Sequence, residues 1–362
     1  MNATMRRFAT GAVAVSMALS VAACGKAGSD DKGDSDNKTI GLLLPENKTT
    51  RYETFDRPLI TKKITSLCPD CEVAYNNANE DTETQKKQFD ALITKGVKVI
   101  ILDAVDATAT RSWVDRAAEK GVKVVAYDRL AEGDISAYVS YDNEKIGQLQ
   151  GEAMLQALGD KAAKSNVVMI NGSPTDPNAA LFKSGAHSVL DEKVKKVVYE
   201  QDIPGWSAAE ANKKMTAAVT SLGKDGFDAV YAANDGMAGA IATALKSAGV
   251  SGVPLGGQDC ELAGIQRILA GSQTYSIYKA IKPEAETTAE IAVALLEGDG
   301  IGELAPQKSD SHSKKGVPTK LFDAQIVTKD NVVDTIIKDE VYTAEEICTK
   351  SYAKACAEAG IK

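Results

Sequence analysis

Histidine is almost absent from this chain: its 362 residues include only His187 and His312. With cysteine as the other soft ligand, a four-ligand zinc site has little to draw on. Catalytic signatures are missing as well. There is no phosphate-binding P-loop, no G-x-S-x-G elbow and no HExxH. No Lys/Arg-rich run stands out, and the net charge is −8. Nucleic acid and anionic membrane surfaces are therefore poor partners. Beyond the first two dozen residues, no stretch is apolar enough to span a bilayer.

The N-terminus is distinctive. Arg6 and Arg7 form a short positive region, Phe8 to Leu19 carry no charge, and Val21-Ala22-Ala23-Cys24 follows. A basic start, a short apolar run and small residues before a cut site read as a secretory signal over residues 1–23. The cysteine directly after the small residues resembles a bacterial lipobox, with Cys24 as the lipidated first residue. Cleavage removes Arg6 and Arg7 and takes the net charge from −8 to −10. Residues 24–38 are Gly, Ser, Asp, Lys and Asn almost throughout. Such a segment buries too little to order itself and reads as a flexible tether.

The remaining chain is longer than a single core usually grows, so two lobes are expected. Of six cysteines, five remain once Cys24 is lipidated: Cys68, Cys71, Cys260, Cys348 and Cys356. In an exported protein the close pairs suggest disulfides, Cys68 with Cys71 and Cys348 with Cys356. In one straight helix Cys348 and Cys356 would stand about 12 Å apart, too far to bond, so that pairing needs a turn between them. Cys260 is left as a thiol.

Strand and helix patterns alternate past the tether. Thr39 to Leu44, Val97 to Leu102, Val122 to Tyr127, Asn166 to Asn171, Phe227 to Ala232 and Val253 to Gly257 read as strands. Between them lie amphipathic stretches such as Thr82 to Lys95, Ala107 to Lys120 and Ala208 to Leu222, and later Pro283 to Glu297. Gly96, Gly121, Gly223 and Gly249 sit where helix C-caps belong. A final β-like run covers Leu321 to Val327. The expected fold class is α/β: two doubly wound parallel-sheet lobes joined by a hinge of several crossings. The first lobe is placed at residues 39–142 plus 280–316, the second at 143–279 plus 317–362.

Ligands of open α/β sheets bind beyond the carboxyl ends of the strands. Reading those ends collects Arg51, Tyr52, Asp128, Arg129, Asp176, Asn178, Trp206, Asn234, Asp259 and Lys279. Carboxylates accept from hydroxyls, Arg and Lys donate to them, and Asn does both. An aromatic ring can receive the C–H face of a pyranose. The mixture suits a sugar. Each residue also has a plain reading: Asn234 or Asp235 could cap a helix, Asp176 could close a turn, and Arg129 could be solvated. His187 reads as an ordinary helix residue. Paired carboxylates would suit a glycosidase, but Arg129, Asn234 and Lys279 lie among these acids and would hold them ionised.

At these positions the chain resembles the type I periplasmic sugar-binding proteins of ABC importers, and among them the D-xylose receptors. The resemblance runs from about Ile40 to Val341. It rests on Tyr127-Asp128-Arg129, Asp142-Asn143-Glu144-Lys145, Gly172-Ser173-Pro174-Thr175-Asp176-Pro177-Asn178-Ala179, Gly205-Trp206, Asn234-Asp235, Gly257-Gln258-Asp259, Leu262-Ala263-Gly264-Ile265 and Tyr278-Lys279-Ala280-Ile281. The resemblance implies a monomeric, cofactor-free receptor that closes on a monosaccharide and presents it to a membrane permease. Arg51, Asp128 and Arg129 would bind from the first lobe, and Asp176, Asn178, Trp206, Asn234, Asp259 and Lys279 from the second lobe and hinge. Tyr52 stands where xylose receptors carry Trp, which opens the choice to glucose, galactose or arabinose. The calcium-loop pattern of the galactose receptors is not visible, so no metal is expected. A sugar-responsive repressor would need a DNA-binding unit where this chain has a signal and tether. A sensor partner in place of a permease stays open.

Overall fold

The computed structural model describes residues 37–361. The signal, Cys24 and nearly all of the tether lie outside the described residues. Two main sheets, of seven and three strands, and one antiparallel pair organise the remainder. In chain order the first sheet takes β1 (Thr39–Leu44), β2 (Glu72–Asn77), β3 (Val99–Leu102), β4 (Lys123–Tyr127) and β5 (Ala137–Tyr141). The second sheet takes β6 (Asn166–Asn171), β7 (Lys196–Asp202) and β8 (Ala229–Ala232). Four more strands follow: β9 (Ser276–Lys279), β10 (Gln307–Ser309), β11 (Val317–Phe322) and β12 (Ala324–Val327).

The first sheet runs β10-β11-β5-β4-β3-β1-β2, parallel except for β10. Side chains of β1 alternate between its faces as a strand's must. Ile40, Leu42 and Leu44 face one core with Ile60, Ile64, Ala285 and Ala289, from the helices Arg57–Leu67 and Ile281–Glu297. Leu43 faces the other core with Phe89, Trp113 and Val114, from the helices Thr82–Thr94 and Arg111–Glu119. Apolar side chains on both faces make these strands read as unbroken hydrophobic runs.

The second sheet runs β7-β6-β8, all parallel. One bridge from Val230 to Leu255 extends it. The strand expected at Val253 to Gly257 is therefore a single rung. Pro254 offers no N–H, and Gly256 and Gly257 weaken strand pairing. A second bridge, Gln258 to Ile277, leads into the antiparallel pair β9-β12. The helices Asn143–Leu158 and Pro177–Leu190 cross closely over this lobe. A methyl on Gly147 would meet the Phe182 carbonyl oxygen at 2.1 Å, and one on Gly185 would meet that of Glu144 at 2.1 Å. Glycine at both positions lets the backbones touch.

The boundary placed at 316/317 needs correction. β11 pairs with β5 and belongs to the first sheet, whereas β12 pairs with β9 in the second lobe. The run Leu321 to Val327 is thus two strands in two lobes, and the chain crosses at Phe322 to Ala324. Its uniform β composition carries no mark of the switch. The other crossings fall at Tyr141 to Asn143 and Lys279 to Ile281, where one sheet's strand ends and the other lobe's helix begins.

Cys68 and Cys71 are disulfide-bonded at a helix end, and Cys348 is bonded to Cys356. A turn separates the short helices Ala344–Ile347 and Ala353–Glu358 and brings the latter two Cα atoms to 5.8 Å. Cys260 is a buried free thiol. Among the described residues no helix is long and apolar enough to cross a membrane.

Candidate functional site

Both sheets direct their strand C-terminal ends toward the cleft between the lobes. There one narrow cavity of about 20 Å³ is lined by Arg51, Tyr52, Asp128, Arg129, Asp176, Asn178, Trp206, Asn234, Asp259 and Lys279. These are the ten residues read from strand ends. Thr49, Phe182 and Gln258 complete the lining. The volume is far below the roughly 300–1,000 Å³ of small-molecule pockets, because the side chains of the two lobes meet one another directly across the cleft.

Backbone geometry presents the polar groups. Asp128, Trp206 and Asp259 hold positive φ values of 54°, 51° and 91°. Non-glycine residues in that region carry strain, which the surroundings must overcome. At Asp128 the restraint is visible: its carbonyl accepts from Tyr138 Oη, Ser140 Oγ and, across the cleft, Asn178 Nδ2. Trp206 rests on bare backbone, since a methyl on Gly172 would meet its ring at 2.2 Å. Its indole N–H donates to Asp176 Oδ2 at 3.2 Å.

Three cations and their carboxylates set the electrostatics. Arg51 is clamped by Asp56, with Nε and Nη2 donating at 3.1 and 2.6 Å, and Nη2 also reaches Glu284 at 2.6 Å. Its Nη1 lies 3.5 Å from Asp128. Arg129 Nε lies 2.9 Å from Asp176 in the opposite lobe and 3.5 Å from Asp103 beneath it. Lys279 Nζ lies 2.9 Å from Asp259. Burial pushes Asp128 up, but Arg51, Lys279 and Arg129 outweigh it and hold the carboxyl below its usual range. Burial wins at Asp176 and Glu284 despite their arginine partners: Asp176 is raised, and Glu284 is pushed up to about 8.

The plain and functional readings hold together at two residues. Asp176 caps its helix by accepting from the Asn178 N–H, and Asn234 caps the helix Asp235–Ser247 by accepting from the Met237 N–H. Both still line the cavity. Asp235 lines nothing; fully buried, it accepts from Gln273, Ser276 and the Glu261 N–H and so ties down the loop that carries Asp259. His187 lies outside the cleft and bonds to Asp191 and Glu200.

Sequence reading missed Asp56, Asp103, Glu284 and the aromatic wall Phe182. Asp103 ends β3 just as Asp128 ends β4, so the same rule applies to it. Glu284 and Phe182 lie inside helices, where position along the chain gives no such signal. The lobes touch directly across the cleft, through Arg129 and Asp176, through Asn178 and Asp128, and through the Thr50 N–H, which donates to Glu261 at 3.4 Å. Among the described residues no group of His, Cys, Asp and Glu side chains could hold a metal ion.

Comparison with known proteins matches this architecture. Residues 40–300 match the periplasmic binding protein domain family. The chain is 38% identical over 314 residues to the D-xylose-binding periplasmic protein of Escherichia coli K12, covering 85% of this chain and 92% of that protein. It is 30% identical over 358 residues to the multiple sugar-binding periplasmic receptor ChvE of Rhizobium radiobacter, covering 93% and 98%. Among solved structures it superposes on an ABC transporter solute-binding protein from Clostridium phytofermentans with bound β-D-glucose. The TM-score is 0.77 at 27% identity, covering 86% of this chain and 100% of that one. These relatives are solute-binding proteins, not enzymes. The chain therefore belongs to the periplasmic binding protein domain family, as a type I periplasmic sugar-binding protein.

Proposed function

We propose that the protein captures one aldose, D-xylose first among candidates, by closing its lobes around it, and hands it to an ABC permease. The observation that carries this is the cavity itself. Both lobes line it with ionised or fixed hydrogen-bonding side chains, and Tyr52, Phe182 and Trp206 supply aromatic walls. Sugar hydroxyls would exchange with the contacts now running from Arg129 to Asp176 and from Arg51 and Tyr52 to Asp128. A ligand that touches both lobes only when they are shut favours the shut form.

Glucose, galactose or arabinose forms the second reading, and Tyr52 favours keeping it. Its hydroxyl donates to Asp128 at 3.2 Å and accepts from Arg129 at 3.3 Å, so it sits among the groups that would read a sugar's substituents. A thermal-shift panel of pentoses and hexoses separates the readings. The largest shift should come from D-xylose; a larger shift with glucose or arabinose moves the assignment to that sugar. Incubation with xylosides should yield no turnover.

The lipobox supports anchoring through Cys24 at the outer face of the cytoplasmic membrane. Cys24→Ser should release the protein into the medium or periplasm, followed by membrane fractionation. Retention in the membrane fraction would remove the anchor.

A further inference from the structure

The three chain crossings converge on one side chain. Tyr141 is the last residue of β5 and is 1% exposed. Its hydroxyl donates to the Ala280 carbonyl at 2.9 Å, tying the first crossing to the second. Its ring packs against Phe322, centroids 6.4 Å apart, where the third crossing begins. The Asp142 N–H next to it also donates to the Phe322 carbonyl, at 3.3 Å. The same ring carries two cations of the cavity. Arg51, from the first lobe, has its guanidinium carbon 6.0 Å from the ring centroid, and Lys279, at the second crossing, has Nζ at 5.5 Å. Tyr141 does not itself line the cavity.

We propose that Tyr141 is the positioning residue that links sugar occupancy to lobe closure: its ring seats Arg51 and Lys279 while its hydroxyl sets the spacing of the crossings. The inference rests on the sugar-capturing reading above. The physical basis is that the face of an aromatic ring attracts a cation within about 6 Å, more strongly when both are desolvated. When the lobes rotate apart, Arg51 moves with the first sheet and Lys279 with the crossing beside the second. In the shut arrangement one ring holds both cations. A sugar that uses both cations therefore draws on a seat assembled at the hinge, and a seat weakened by opening is the differential contact closure needs. The hydroxyl bond adds a separate restraint, since Ala280 is the residue next to Lys279.

Two substitutions separate the parts. Tyr141→Phe keeps the ring and removes only the bond to Ala280; Tyr141→Leu removes both. Stopped-flow dissociation and calorimetric titration of the best-bound aldose would read them, with the melting temperature of the sugar-free proteins as the measure of plain folding. Tyr141→Phe should speed sugar release by roughly 3- to 10-fold, in keeping with one hydrogen bond. Tyr141→Leu should weaken binding by a further factor of roughly 10, which is the part that the ring of the Phe variant retains. Sugar-free Tyr141→Phe should melt close to the parent, which a purely structural role for the hydroxyl would not allow. Parental affinity and release rate in both folded variants would overturn the proposal. So would equal losses in both, because the ring would then seat nothing. A parent that binds no aldose would instead remove the sugar reading, and this inference with it.

Discussion

Glu261 carries the clearest pH consequence at the scale of single residues. It faces Asp235 and Asp259 on its own lobe, with Arg267 nearby and the Thr50 N–H across the cleft. Burial, and then the Asp235 and Asp259 charges, push its carboxyl from an ordinary 4.5 up to about 8. Burial likewise pushes Asp235 up to about 7. Both are protonated in the native state over a range where the unfolded chain is ionised. Their stabilisation is fully present below the unfolded values near 4 and is lost as pH rises through 7 to 8. The melting temperature should therefore fall between pH 5 and 9. Glu261→Gln, which mimics the protonated acid, should flatten part of that fall. An unchanged slope in the variant would show that Glu261 is not the group titrating. None of this was legible in the sequence. Reading strand ends brings the cavity's side chains together because the fold places every strand end at one cleft. Whether a carboxylate is buried beside other carboxylates depends on packing from distant segments, as with Asp235 against residues 259–276.

At the scale of elements, the C-terminal segment is held by contacts that its sequence only hints at. Ile336, Tyr342, Ile347 and Cys356 form a core cluster with Ile265, Ile268 and Tyr278 of the second lobe. The short helices Ala344–Ile347 and Ala353–Glu358 are too brief to persist alone. Their staple, Cys348 to Cys356, closes a short loop, worth about 2–3 kcal/mol in the chain-entropy account. The double variant Cys348→Ser/Cys356→Ser should lower the melting temperature by a few degrees and raise hydrogen exchange across 328–361. Exchange unchanged there would mean that packing alone holds the segment. Spacing and compartment made this pair readable, because residues eight apart can meet only through a turn. The helix bounds at Ala208–Leu222 and the glycine caps were readable for similarly local reasons: Gly96, Gly121, Gly223 and Gly249 all hold positive φ, from 67° to 80°. The switch between β11 and β12 was not readable, since both sides of it are equally β-forming and partner choice is decided by β5 and β9.

The whole molecule is a two-lobed clamp whose three crossings bundle around Tyr141 and whose charged groups face one another across a small cavity. The proposed function requires that Arg129 of the first lobe and Asp259 of the second hold one sugar between them. Charge-assisted hydrogen bonds are the stronger kind, and removing one partner strands the others in a dry cleft. Titration calorimetry with D-xylose tests the claim most directly, using the parent, Arg129→Ala, Asp259→Ala and, as a control, Asp115→Ala on the outward side of the helix Arg111–Glu119. The parent should bind one-to-one at roughly micromolar affinity, about −8 kcal/mol. Each cleft variant should lose about 1–3 kcal/mol or more, and the control less than about 0.5 kcal/mol. Parental binding in both cleft variants would contradict it.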